Sequence, residues 1–402
     1  MKTKEKALPL LCCLVYFTSY ITRINYGAVI PAVIADLGIT KGQAGLAVTG
    51  CFITYGLGQP VTGWLGDRVP PKYIITAGLL GTALCNITAS LQNSVAVIAA
   101  IWCCNGFFQS MMWPPLLRII AETMPGERYR RTCVNVTTSA NIGTIVVYLT
   151  APLLISLGSW RLVLALPAAA ALAVALSWQG LVTAGREAKA RPKPAADGHT
   201  EAPVSTWRLL LLSGMPLILG GIALQGLLRD GITTWMPTYI SEAFHLEAGV
   251  SILTAAVLPI FAVICIRLSD RVYCWCGYNE LVTSILFFGI SAVGALLLFL
   301  FFDNVLLSVL LMALICGSCH VVNQMLISYT PVRYEAYGRV STMSGIVNAF
   351  TYLGSALSAY GFAAIADRWG WRPLVLVWLA GALAGGLLCL ANLRRWKSFI
   401  GR

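Results

Sequence analysis

Charge is what this chain most lacks. Only 11% of its 402 residues are Asp, Glu, Lys or Arg, against about 25% in a water-soluble protein. Also missing are a nucleophile elbow, a helix-borne metal-ligand motif, a phosphate-cradling glycine loop and an ATPase module. No enzyme, no cofactor and no ATP-driven pump is therefore expected. The one long polar stretch runs from Gly185 to Ser205. Disordered, fibrous, secreted disulfide-rich and nucleic-acid-binding classes fall with these absences. What is present is apolar: 58% of residues are hydrophobic and the mean hydropathy is +0.77. Runs long enough to cross about 30 Å of hydrocarbon recur throughout. Lipid offers no partners to backbone amides and the alternation of a barrel strand is absent, so the spans are helical. The fold class is an all-α membrane protein.

Apolar windows between charged or Pro/Gly punctuation give twelve spans, near 8–36, 43–65, 73–92, 94–122, 132–156, 162–184, 207–240, 248–268, 280–302, 304–328, 340–366 and 373–392. Lys2, Lys4 and Lys6 precede an apolar stretch too long for a signal peptide, so the first span is read as uncleaved. With both termini cytoplasmic, the 28 basic residues divide as 22 cytoplasmic, four external (Lys41, Arg161, Arg368, Arg372) and two intramembrane (Arg23, Arg229). That bias fixes the orientation and explains the net charge of +12 without nucleic acid. The thirteen cysteines sit mostly within spans, where they act as small hydrophobes.

Residues 185–205, cytoplasmic and rich in Pro and charge, link an N-terminal half (1–184) to a C-terminal half (206–402). The halves repeat one another. Arg23 is followed by Pro31 and Asp36, and Arg229 at the same spacing by Pro237 and Glu242. Leu65-Gly66-Asp67-Arg68-Val69 recurs as Leu268-Ser269-Asp270-Arg271-Val272, and Trp160-Arg161 as Trp371-Arg372. The offsets of 206, 203 and 211 describe one six-helix unit used twice. Two such halves are a transporter architecture with its binding site near mid-membrane.

Arg23 and Arg229 are the centre of that reading. A charge at the bilayer centre costs from about 3 to over 10 kcal/mol, and it is borne here twice at equivalent positions. Two guanidinium forks facing a shared hydrated chamber would clamp an anion; the structural alternative is pairing with neighbouring helices. Asp230 directly follows Arg229, and consecutive helical residues point about 100° apart. If Asp230 reaches the chamber it lowers the site to +1 and serves as a coupling group; otherwise it is a structural partner. Asp67, Arg68, Asp270 and Arg271 are read as cytoplasmic loop charges that gate the closed state through helix-end contacts. His320 is either a titratable site residue or a packing histidine. Tyr55, Gln109, Trp113, Asn141, Asn348 and Tyr352 either contact substrate or join helices. Cys316-Gly-Ser-Cys319-His320 matches a haem-attachment pattern formally, but within a membrane helix it is rejected.

These residues resemble the major facilitator superfamily over nearly the whole chain, and within it the organophosphate:inorganic phosphate antiporter family. The likeness lies in Arg23-Ile-Asn25 with Pro31 and Asp36-Leu-Gly, Thr54-Tyr55-Gly56, Asn105-Gly-Phe-Phe-Gln109-Ser-Met-Met-Trp113-Pro114-Pro115, Leu228-Arg229-Asp230-Gly231-Ile232, Gln324-Met-Leu-Ile and Tyr352-Leu-Gly. The resemblance implies that Arg23 and Arg229 bind phosphate, that Tyr55 and Tyr352 support them, and that exchange proceeds by rocking of the halves. The departures are Ile24 and Gln59 where the family has lysines, Ala140 before Asn141 where it has a histidine, and Asp230 where it has a tyrosine. Each removes positive charge or adds negative, which serves a phosphate dianion less well and makes an organic monoanion, a carboxylate included, a serious competitor. The sister anion:cation symporters carry acids where this chain has Thr22 and Gln109, which disfavours proton symport by that route.

The expectation is a monomeric secondary transporter of the bacterial inner membrane. It moves a small organic anion by alternating access, as an antiporter with inorganic phosphate or another anion as counter-substrate. The lipid bilayer is a further expected partner, and nucleic acid is not. The alternatives are proton-coupled symport or a transporter-like ligand sensor.

Overall fold

The computed structural model describes residues 2–39, 41–157, 159–182, 205–245, 254 and 257–401. The expected linker 185–205 lies outside them save for Ser205. The described residues are helical and carry no strand. In chain order the helices are α1 (Lys2–Leu37), α2 (Lys41–Gly66), α3 (Pro71–Ser90), α4 (Val95–Ser110), α5 (Trp113–Thr123), α6 (Glu127–Leu157) and α7 (Trp160–Leu181). They continue as α8 (Thr206–Leu212), α9 (Met215–Phe244), α10 (Val257–Trp275), α11 (Glu280–Leu300), α12 (Val305–Asn323), α13 (Val340–Trp369) and α14 (Trp371–Ile400).

Every one of the twelve expected spans contains a helix, and two contain breaks. The fourth is interrupted at Met111 and Met112, because Pro114 and Pro115 can begin a helix but not continue one. The seventh is bent by 79° between Thr206–Leu212 and Met215–Met236. Among the described residues, eight helices are long and apolar enough to cross a membrane, or nine if that bent pair is one span. α2, α10 and α13 are not among them; α2 and α13 are rich in glycine and hydroxyl residues. Local signals set several starts. Asn279 accepts from the backbone N–H groups of Leu281 and Val282 at the start of α11, and Asn304 accepts from Leu307 in α12. Large apolar side chains stand exposed at helical spacing, such as Ile53, Leu57, Val61 and Trp64 on α2 and Leu383, Leu387 and Leu390 on α14. Such stripes are untenable in water and suited to hydrocarbon.

By its contacts the chain divides into two units, Met1–Ala202 with Tyr334–Ala349, and Pro203–Arg333 with Phe350–Arg402. Each pairs its helices in the same way. In the first, α1 packs on α7, α2 on α4, and α3 on both α4 and α7; in the second, α9 packs on α14, α10 on α12, and α11 on both α12 and α14. Two indole contacts recur as well. Trp160 donates to Asp36 at 2.9 Å and Trp371 to Glu242 at 2.9 Å, tying the first helix of each six to the sixth. Trp178 donates to the Lys72 carbonyl at 3.2 Å and Trp396 to Glu280 at 3.1 Å, tying the sixth helix to the third. The sequence repeat is thus also a repeat of contacts.

Candidate functional site

In the first unit, α1 is held by a buried polar network. Gln109 donates to Thr22 and Thr82 at 2.9 Å each and accepts from Ser19 at 2.6 Å. Asn105 and Asn86 both donate to the Thr22 carbonyl, at 3.2 and 2.9 Å, and Asn25 donates to Asn86 at 2.7 Å. Every side chain in this set is buried, and it joins α1, α3 and α4 with all its members satisfied, the condition under which a buried polar network stabilises. Thr22 and Asn25 face the network, which leaves Arg23 pointing round the helix. The guanidinium of Arg23 lies 4.4 Å from the Tyr20 ring centre and 4.8 Å from that of Tyr55. Two aromatic faces at that range stabilise a cation by about 0.5–2 kcal/mol each. Tyr16 edges onto Tyr20 and lies tilted at 4.7 Å against Trp113, extending the aromatic wall.

In the second unit, Arg229 lies on a carboxylate instead. Its Nε and Nη2 grip the two oxygens of Asp230 at 2.6 and 2.9 Å, and its Nη1 donates to Asn323 at 2.8 Å. Ser355 donates to the second Asp230 oxygen. Arg229 is 13% exposed and Asp230 31%. The two neighbours therefore share a face, because the long arginine side chain doubles back across the angle that separates their backbones. His320 is half-buried and close enough to feel both charges. Asn323 ends α12, and Gln324–Tyr329 then winds as a π-helix, with the Thr330 N–H reaching back to Met325 at 2.9 Å. Such insertions are frequent at functional sites.

The paired loop motifs are not equivalent. Asp67 stands in the turn after α2 and accepts from the backbone N–H groups of Ser341 and Thr342, at 2.9 and 2.8 Å, in the first turn of α13. There it satisfies two orphan donors and meets the positive end of the helix. Burial lifts its carboxyl above the ordinary value, against the pull of the Thr342 and Ser341 contacts. The crossing beneath it is tight, since a Cβ on Gly63 would meet the Ser341 carbonyl at 2.6 Å and Gly345 at 3.2 Å. Arg68 lies 4.0 Å over the Trp64 ring. Asp270 and Arg271 do not stand in a loop; α10 continues through them to Trp275, a correction to their expected place.

Of the remaining candidates, Asn141 is half-buried and donates to the Thr137 carbonyl of its own helix at 3.0 Å. Tyr352 lies on α13 three residues before Ser355, and Asn348 is buried one turn earlier. All thirteen cysteines are free thiols, and no group of metal-ligating side chains occurs among the described residues. Sequence reasoning missed Asn323 and Ser355, which lack charge, and Glu280. The last is fully buried and accepts from Tyr273 at 2.7 Å, Arg333 at 2.8 Å and Trp396 at 3.1 Å; its position at a helix start resembled a solvated end. The spacing of Ser355 one turn beyond Thr351 on the polar α13 was the only hint available for it.

The helix pairing, the doubled architecture and the charged pairs within spans define a helical membrane transporter, not an enzyme. The sequence profile of the Major Facilitator Superfamily matches residues 12–359, and the chain belongs to that family. It is similar to the "Probable hexose phosphate transport protein" of Chlamydia pneumoniae, with 25% identity over 93% of this chain and 88% of that protein. It is similar also to the "Membrane sensor protein UhpC" of Escherichia coli (strain K12), with 24% identity over 93% and 89%. Among solved structures, the transporter FucP in its outward conformation superposes with a TM-score of 0.70 and 15% identity, covering 98% of this chain and 99% of that one. The expected major facilitator fold is therefore the fold of the chain.

Proposed function

We propose that the protein carries a small organic anion, an organophosphate or a carboxylate, with Arg23 and Arg229 as its two cationic contacts. The observation that carries this reading is the difference between them. Arg23 rests on Tyr20 and Tyr55, whereas Arg229 is forked onto Asp230. Two arginines and one carboxylate sum to +1, which suits a singly charged head group better than a phosphate dianion. Tyr55 and Tyr352 support the anion, Asn141 is read as a neighbouring polar contact, and Gln109 holds the α1 network behind Arg23. His320 and Asp230 are the groups through which proton coupling would act. Transport is by alternating access in the bacterial inner membrane, with both termini cytoplasmic and the protein acting as a monomer. Asp67 and Arg68 act as a gate: while Asp67 caps α13 the two elements stay together, and release of the cap lets them part.

Antiport is part of this proposal because the likeness to the organophosphate:inorganic phosphate antiporters implies exchange. Inorganic phosphate or another anion serves as the counter-substrate. Proteoliposome counterflow tests this directly. Labelled hexose phosphate or a labelled carboxylate should enter vesicles loaded with anion and stay outside empty ones; equal uptake by empty vesicles rules out antiport. The Escherichia coli relative named as a sensor motivates a second reading, in which ligand binds but does not move. Ligand-induced thermal stabilisation without counterflow would select it.

A further inference from the structure

A cavity of about 510 Å³ opens at the end of the second unit, walled by Arg208, Leu211 and Leu212 of α8 and by Arg394, Arg395 and Phe399 of α14. Ser398 adds a hydroxyl to the rim. Unlike Arg229 or Arg333, these three arginines make no hydrogen bond or ion pair among the described residues, and all three are exposed. The elbow between α8 and α9 is 79°, so where α9 crosses the membrane α8 lies along its surface. On that short helix Trp207 is 66% exposed, with Leu211 and Leu212 exposed beside it, the aromatic and aliphatic pattern of an interfacial segment. The elbow is fixed rather than floppy. Gly214 takes a positive φ of 68°, a Cβ there would run into Asn392, and Asn392 donates to the Ser213 carbonyl at 3.1 Å. The floor is fixed too, since Phe399 stacks at 5.7 Å on Trp396, which donates to the buried Glu280.

We propose that this cavity seats the headgroup of an anionic phospholipid. Its phosphate is held by Arg208, Arg394 and Arg395, and its first acyl carbons lie against Leu211 and Leu212. Basic pockets between helices at the positively charged membrane face are suited to such headgroups. The exposed leucines beside the arginines favour a lipid over a free anion, because a soluble phosphate gains nothing from them. The occupant would brace the end of α14, and through Trp396 the Glu280 cluster that joins α10, α11 and α14. The site is distinct from Arg23 and Arg229, so it stands whether or not these bind the transported anion.

The test is thermal unfolding of the full chain in neutral detergent, titrated with phosphatidylglycerol or phosphatidylcholine. Phosphatidylglycerol should raise the midpoint and phosphatidylcholine should not. Each of Arg208→Gln, Arg394→Gln and Arg395→Gln should raise the half-saturating lipid by about fivefold, the value for one cation near an anionic surface. The triple variant should lose the shift, and Lys397→Gln, an exposed cation outside the cavity wall, should keep it. Native mass spectrometry of the triple variant should show the loss of retained phosphatidylglycerol, which separates lost binding from lost folding. An equal shift with phosphatidylcholine, a shift that survives in the triple variant, or a full shift produced by inorganic phosphate would each overturn the proposal.

Discussion

The two six-helix sets agree in their scaffolds and differ at their arginines. Trp160–Asp36 and Trp371–Glu242 have the same length and place. Yet Arg23 is bedded on tyrosine faces while Arg229 is gripped by a carboxylate. An aromatic face stabilises a cation without cancelling its charge, whereas a carboxylate cancels it. The tyrosine contacts of the first arginine do not themselves cancel its charge, whereas Asp230 compensates the second. Equivalent positions of the repeat thus hold the same residue in different surroundings.

Breaking the comparison outright gives the largest effect. Arg23→Gln should reduce counterflow at least about thirtyfold, in line with the 2–5 kcal/mol lost when one partner of a buried charge contact is removed. Arg23→Lys should fall nearly as far, because an ammonium neither stacks on both tyrosines nor forks onto an anion. Next in size is Asp230→Asn, which strands the Arg229 charge and should destabilise the protein by about 3 kcal/mol. The double variant Arg229→Gln with Asp230→Asn should recover much of that in thermal unfolding. A stable single Asp230→Asn variant would mean the pair is not the compensating unit.

The agreement between the sets is sharpened by smaller effects. Trp160→Phe and Trp371→Phe should each cost about 1 kcal/mol, and by similar amounts, if the two contacts are equivalent. Asp36 adds a pH signature. It lies beyond the apolar stretch Ala7–Ile30, and its bonds from Trp160 and Arg161 hold its carboxyl below the usual range. The stability it contributes is complete above the ordinary carboxylate value and is lost as pH falls through the lowered one. Asp36→Asn should remove that acid-side loss from the unfolding curve. Smallest is Tyr55→Leu, which should weaken anion affinity threefold or so, about the 0.5–1 kcal/mol at the low end for one cation–π contact.

Much of this was legible from residue order. Charges in hydrocarbon are so unfavourable that Arg23 and Arg229 stand out unaided, and their equal distances to Asp36 and Glu242 reveal the repeat. The pairing of Asp230 was not legible, because a backbone angle of about 100° argues for separate faces and says nothing of how far an arginine side chain folds back. Gln109 could contact substrate or join helices by sequence, and that it bonds Ser19, Thr22 and Thr82 was not legible, since a buried amide in one helix carries no mark of what faces it. The continuation of α10 through Asp270 was hidden by the likeness of its motif to the turn at Asp67. The break at Met111 could be read from Pro114 and Pro115, whereas the π-helical turn at 324–329 has no such residue to announce it.

The indole contacts have a mechanical consequence. Trp160 and Trp178 pin α7 near its two ends, and Trp371 and Trp396 do the same for α14. A beam fixed at both ends resists flexing, so a push delivered at one membrane face arrives at the other almost undiminished. The tryptophans give each six-helix set the stiffness of a crank arm.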